Sequence, residues 1–262
     1  MSQNDKLLVS LENGIKRITF NRPERRNATD NATLRLLRDA IQESAEDGSK
    51  VIILTGTGDA FCAGADLQTS GDSGLMNTDV TKMLRENVNP AVLAMRSLNK
   101  PIIARVHGHA AGVGCNYALA CDWIIASEQA KFGQVFVKIG LAPDGGGSYF
   151  LSRTVGYAKA FELLATGDII GAQEALALGL INRVVAYEEL DEAVNATAAR
   201  LAAAPAVAIA QIKQSLNYAM KHDLAESLDN EAVNQAACFA SQDFQEGVQA
   251  FLEKRKANFA GK

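Results

Sequence analysis

Apolar residues cluster first in short β-type runs. Leu7-Leu8-Val9-Ser10-Leu11 and Ile15-Lys16-Arg17-Ile18-Thr19-Phe20 flank Glu12-Asn13-Gly14. Asn-Gly between two such runs predicts a hairpin over residues 6–20, which Asn21-Arg22-Pro23 breaks. The spacing then lengthens. Leu34, Leu37 and Ile41 share one helical face and predict a helix over residues 30–46. Val51–Thr55 reads as a buried strand. Residues 68–79, polar and rich in Gly and Ser, read as a mobile loop. Met83, Leu84, Val88, Val92 and Met95 predict a helix over residues 79–98, kinked or split at Pro90. Strands follow at 101–106, 123–126 and 131–137, with a helix at 113–121 between them. A helix pair at 145–165, a helix over Ala172–Leu178 and a strand at 181–185 complete the alternation. The fold class is therefore α/β. Beyond residue 188 the strands stop, and helices are predicted at 188–203, 205–221, 223–240 and 243–256. This shift divides the chain into a core over residues 1–200 and a helical region over residues 201–262.

The 262 residues are 48% hydrophobic and 21% charged, enough apolar mass for one sizeable core. A net charge of −4 gives no basic footprint for nucleic acid or a membrane surface. Arg22, Arg25 and Arg26 form a short basic cluster, read as a solvated turn or as an attraction for a phosphorylated ligand. Cys62, Cys115, Cys121 and Cys238 lack metal-type spacing and read as buried free thiols. The N-terminal stretch has no apolar signal region, and no run is long enough to span a bilayer, so a cytoplasmic location is expected.

Two glycine-rich segments carry the candidate chemistry. Phe61-Cys62-Ala63-Gly64-Ala65-Asp66-Leu67 and His107-Gly108-His109-Ala110-Ala111-Gly112-Val113-Gly114-Cys115-Asn116 each follow a β-type run. Small residues there admit a ligand close to the backbone, and N–H groups at such turns can converge on one oxygen. Phosphate-loop, dinucleotide, nucleophile-elbow and zinc-helix motifs are absent from the sequence. Asp122 and Glu162 read as a turn acid and a surface charge, and His107 as structural. His109 is a weak pocket candidate. Asp144, in Leu141-Ala142-Pro143-Asp144-Gly145-Gly146-Gly147, precedes a helix and reads on pattern alone as its N-cap.

The joint spacing of these segments resembles the enoyl-CoA hydratase/isomerase (crotonase) superfamily. Asn21-Arg22-Pro23…Asn27-Ala28, Gly108…Gly112-Val113-Gly114…Leu119-Ala120-Cys121-Asp122, Phe132-Gly133-Gln134, Ala142-Pro143, Thr166-Gly167-Asp168 and Ala250–Arg255 fall in register with its landmarks. The resemblance implies a crotonase-like spiral of ββα units whose C-terminal helices build a homotrimer or a homohexamer. It implies an acyl-CoA thioester as substrate, coenzyme A being part of that substrate, and no metal or redox cofactor. It places an oxyanion hole on the N–H groups of Ala65 and Val113. CoA and substrate contacts fall at Arg26, Ala28, Ala63, Asp66, Leu67 and Gly112, with Phe251 and Lys254 reaching a neighbouring subunit's ligand. Val113 stands where the family usually has glycine, which restricts that turn.

Where the hydratases of the superfamily carry two catalytic glutamates, this chain has Asn116 and Phe136, also expected to line the substrate pocket. Hydration needs one group to activate water and another to protonate carbon. Asn titrates nothing and Phe is inert. Two N–H groups on a thioester oxygen stabilise an enolate, each donor worth about 3–4 kcal/mol, and a single carboxylate can then move a proton along the chain. The resemblance assigns that carboxylate to Asp144, the position of the aspartate base in the superfamily's isomerases. The leading expectation is an isomerase acting on 3-enoyl-CoA or on an aromatic ring-epoxide CoA. Three rivals stand beside it: a hydratase with a non-standard acid/base, a dehalogenase-like hydrolase with Asp144 as nucleophile, and a non-catalytic acyl-CoA-binding paralogue.

Overall fold

A computed structural model describes residues 6–67 and 79–261; most of the segment read as a polar loop, 68–78, lies outside the described residues. The chain opens as the expected hairpin. Strands β1 (Leu7–Glu12) and β2 (Ile15–Phe20) pair antiparallel from Leu7↔Phe20 to Glu12↔Ile15. Asn13 and Gly14 take φ of 52° and 76°, the double left-handed turn that matches strand twist.

Three strand pairs then build the centre. In each, the first strand joins a large sheet and the second a small one, before helical sequence returns the chain. The pairs are β3 (Val51–Gly56) with β4 (Ala60–Cys62), β5 (Ile102–Val106) with β6 (His109–Ala111), and β7 (Trp123–Ser127) with β8 (Lys131–Gly133). The small sheet closes with β9 (Ile169–Gly171), and the large one with β10 (Arg183–Val185). The large sheet runs β1-β2-β3-β5-β7-β10, parallel from β2 onward; the small sheet runs β4-β6-β8-β9, antiparallel only at its last pair. This is the expected spiral of ββα units.

The large sheet is covered on both faces, so its central strands β3 and β5 are buried along their whole length. Ile52, Leu54, Ile102 and Ala104 point into the main core, which also takes Leu34, Leu37 and Ile41 of α1 (Asn31–Glu43). Their neighbours Val51, Ile53, Ile103 and Ile125 point the other way, onto Leu190, Val194 and Ala198 of α8 (Leu190–Ala202). The period-two alternation of a strand thus serves two cores at once.

The remaining helices are α2 (Val80–Met83), α3 (Asn89–Ser97), α4 (Val113–Ala120), α5 (Gly147–Thr154), α6 (Gly156–Thr166), α7 (Ala172–Ala177), α9 (Ala206–Ala219), α10 (Leu224–Phe239) and α11 (Gln242–Leu252). The sequence pattern does not predict the short strands β4, β6 and β9, and two further segments differ in detail. The helix at 79–98 runs on without a break through a π-type turn over Leu84–Val88, and Pro90 is the second residue of α3 after that turn. The strand expected at 131–137 stops at Gly133, and Val135–Ile139 winds into a 3₁₀ helix. Its β-branched residues favour a strand locally, but pairing with β9 ends at Gly133, and tertiary context overrides the propensity.

Candidate active site

The two glycine-rich segments meet, because β4 and β6 are neighbours in the small sheet. A Cβ on Gly64 would lie 2.8 Å from the carbonyl oxygen of Ala111 and 3.8 Å from Cα of Gly112. Gly64 has φ of 101° and Gly112 φ of 53°, conformations that side chains resist. With Gly112 taking the strained position, Val113 starts α4 without a positive φ. The restriction expected from the missing glycine at 113 is absorbed one residue earlier.

Each turn presents a backbone donor. Thr29 and Ala65 form a parallel bridge, in which the Thr29 N–H donates to Gly64 O at 2.7 Å and Asp66 N–H donates to Thr29 O at 2.9 Å. Successive N–H groups of an extended chain alternate in direction, so the Ala65 N–H faces away from Thr29. The Val113 N–H lies in the first turn of α4, where no intrahelical acceptor exists and the helix dipole favours negative charge. Among the described residues neither group has a protein acceptor.

Asp144 lies beside the second turn. A Cβ on Gly145 would come within 2.7 Å of Cγ2 of Val113. The N-cap reading of Asp144 does not hold: α5 begins at Gly147, Gly146 occupies the cap position, and no side chain caps the helix. Oδ1 of Asp144 is buried and has no hydrogen-bond partner among the described residues. Burial pushes the carboxyl up to about 6, because removing water disfavours the charged form. A carboxyl poised there can accept and return protons near neutral pH.

Asn116 and Phe136 are both buried beside these elements. The Phe136 ring packs against Gly112, where a Cβ would lie 3.7 Å from its edge. Asn116 differs from its expected place among substrate contacts: both ends of its amide are spent on protein groups. Its Nδ2 donates to the Asp144 carbonyl at 2.7 Å, and its Oδ1 accepts from Nε2 of Gln134, also at 2.7 Å.

The N-terminal landmarks gather on the other side of Ala65. Ala63 N–H donates to Arg26 O at 2.9 Å, and Arg26 and Asn27 both adopt left-handed backbone. Asn27 pins that turn, donating to the carbonyls of Thr57 and Ala60. Ala28 is buried, and Leu67 is exposed at the end of this stretch. The basic cluster splits. Arg25 and Arg26 are exposed, but Arg22 is buried, with Nη1 on Ala28 O at 2.7 Å and Nη2 on Asp66 at 2.6 Å. Neither the solvated-turn nor the phosphate reading fits Arg22, and the Asp66 carboxylate is held inward rather than toward a ligand.

Phe251 and Lys254 stand apart, at and just after the end of α11, with Phe251 82% exposed. Asp122 is structural, as expected: it receives Lys213 at 2.7 Å, Arg96 at 3.2 Å and the Ile102 N–H at 2.9 Å. His107 is buried with Nε2 3.1 Å from Gly58 O, and Glu162 pairs with Lys159 on the surface. His109 is exposed on β6. Cys62, Cys115 and Cys121 are buried, and burial pushes the first two thiols up to about 12, so they are inert; Cys238 is half-buried. Sequence reasoning missed the roles of Thr29 and Gln134, whose contacts come from residues 18 to 37 positions away and leave no local signal.

The family model for enoyl-CoA hydratase/isomerase matches residues 10–262. This chain belongs to the enoyl-CoA hydratase/isomerase family. Its relatives are mostly named enoyl-CoA hydratases, with an epoxide isomerase among them. A crotonyl-CoA hydratase of Syntrophomonas wolfei is 38% identical, with 98% of this chain and 99% of that one covered. A 1,2-epoxyphenylacetyl-CoA isomerase of Escherichia coli is 37% identical, with 98% of each covered. The crystal structure of an enoyl-CoA hydratase of Mycobacterium smegmatis superposes with a TM-score of 0.91 at 34% identity, covering 97% of this chain and 98% of that one. Within the family, names alone do not choose the reaction.

Proposed function

We propose that the protein is an acyl-CoA isomerase that moves a double bond by a single-carboxylate proton shuttle. The observation that carries this reading is Asp144: a carboxyl raised toward neutrality, free of any capping duty and seated against the Val113 turn. In the simplest case the substrate is a 3-enoyl-CoA. Its thioester oxygen accepts the N–H groups of Ala65 and Val113. The Asp144 carboxylate takes a proton from C2, the electron pair moves into the thioester as an enolate, and the two donors stabilise the oxyanion. The same carboxyl returns the proton to C4, leaving the double bond between C2 and C3. Atoms and charge balance without a second acid.

The ring-epoxide substrate class is supported by the Escherichia coli relative, and a hydratase reading by the Syntrophomonas wolfei relative. Against hydration stand Asn116 and Phe136, which supply no second titrating group. The test is a turnover panel of 2-enoyl, 3-enoyl, aryl and ring-epoxide CoA thioesters read by mass. A mass-neutral product on a 3-enoyl or epoxide substrate supports the proposal; a dominant gain of water overturns it.

We also propose a homotrimeric or homohexameric assembly. Ile212, Leu216, Val248, Phe251 and Leu252 of α9 and α11 are between 44% and 82% exposed, an apolar surface that neighbouring subunits would cover.

A further inference from the structure

The loop that carries Asp144 is soft by composition. Three glycines follow it, and Gly145 and Gly146 take φ of 56° and 88°. Such a segment samples many conformations unless something holds it. The Asp144 carbonyl is held twice, by the Gly147 N–H at 3.0 Å and by Nδ2 of Asn116 at 2.7 Å. Asn116 is held in turn by Nε2 of Gln134 at 2.7 Å. Asn116 is 0% and Gln134 3% exposed, so the bond between them is buried and the bond to the Asp144 carbonyl partly so. Room is left for them at Gly147, where a Cβ would meet Nδ2 of Asn116 at 2.7 Å and Oε1 of Gln134 at 3.1 Å.

The polarity of this chain of amides is fixed by chemistry. A peptide carbonyl accepts only, so Asn116 must turn its NH₂ toward Asp144. Its Oδ1 then faces Gln134, which must present its own NH₂. An ionised carboxylate at position 116 has no proton to give and would set its charge against the Asp144 carbonyl.

We propose that Gln134 and Asn116 are positioning residues that aim the Asp144 carboxyl, and that an amide donor at position 116 is required for that aim. Position 116 is therefore more than a lost acid: a carboxylate there releases the Asp144 loop. The inference rests on Asp144 as the proton carrier.

The test uses the full-length protein and 3-hexenoyl-CoA. The shape-conserving N116D removes the donor whenever the introduced group is ionised. At pH 8 it should lower kcat at least about tenfold, the scale of an unmade buried hydrogen bond, with KM within about twofold of the parent. The ratio of N116D to parent kcat should rise as pH falls from 8 to 6, because a protonated carboxyl donates again. Q134E, which sets a carboxylate against Oδ1 of Asn116, should lower kcat in the same direction. Parent-like kcat in N116D at pH 8, or a loss that does not change with pH, overturns the proposal. If the parent itself fails to turn over the panel of thioesters, the isomerase reading falls first. The relay is then judged by melting temperature. A deficit in N116D that shrinks from pH 8 to pH 6 supports an Asn116 donor, and a pH-independent difference rejects it.

Discussion

Gly114 and Cys62 touch backbone to backbone: a Cβ on Gly114 would stand 2.2 Å from the Cys62 carbonyl oxygen and 2.8 Å from its sulfur. This contact locks the first turn of α4 against β4, and so sets the Val113 donor relative to the Ala65 turn. Gly114→Ala must push the two segments apart. It should destabilise the protein by about 3 kcal/mol, at the upper end for overpacking a tight site, and should lower kcat in whatever fraction still folds. Gly171→Ala is the control, since Nζ of Lys131 at 4.0 Å is all that a Cβ there would meet. Equal thermal and kinetic behaviour of the two variants would show that the contact does not set the donors.

Asp144→Asn keeps shape and removes the titrating group. Isomerisation should fall by at least about 10³-fold, while affinity for a non-reactive acyl-CoA analogue stays within about threefold. Calorimetry and single-turnover assays separate the two effects. Activity within threefold of the parent rejects Asp144 as the base.

The raised Asp144 carboxyl fixes a pH limb. A base must be ionised, so kcat/KM should rise with pH and level off above about 6. Stability runs the opposite way. The folded state holds the proton more tightly than the unfolded chain, whose carboxyl titrates near 3.8. Stability is therefore lost as pH rises from about 4 to about 6, and is not regained above that. At pH 8 D144N should melt higher than the parent, by the equivalent of about 1–3 kcal/mol. The difference should vanish below pH 4. A parent that melts higher than D144N at pH 8 would contradict burial as the cause of the shift.

The Arg22–Asp66 pair is buried on both sides, with side chains 9% and 4% exposed. Removing Arg22 deletes this buried ion pair and the bond to Ala28 O, at a cost of about 3 kcal/mol. Arg22→Met should lower the melting temperature more than Arg25→Met or Arg26→Met, whose parent residues are exposed. Equal shifts for all three would mean that the pair adds nothing to the fold.

Removing residues 243–262 deletes α11 and the segment after it. The truncated protein should lose both its assembly and part of its acyl-CoA affinity, read by light scattering and titration. A monomeric intact protein with full activity would reject a shared site.

Much of this was readable in the sequence. Asn13-Gly14 announced the hairpin, and helical spacing located α1 and the C-terminal helices within a few residues. The three-residue strands β4, β6 and β9 were invisible because a period cannot be seen in so short a run. The 3₁₀ helix at Val135–Ile139 was misread because its composition favours a strand and only packing decides otherwise. In the candidate site, the glycine turns were legible as motifs, and Asp144 only through the family resemblance, since its pattern alone reads as a helix cap. The burial of Arg22 and the link between Gln134 and Asn116 were not, since each depends on partners that the fold brings in from elsewhere.

The spiral also distributes labour. Ala65 follows β4, Val113 follows β6 and Asp144 follows β8 by eleven residues, so each winding delivers one station to the same end of the small sheet. In the proposed site, two windings grip the thioester and the third handles protons. Asn116 reaches from the second winding to hold the third, so grip and proton transfer are linked at that one amide. Rewriting the stretch after β8 together with position 116 can change what happens to the acyl group while the two backbone donors stay as they are, which makes that pair of segments the interchangeable part of the machine.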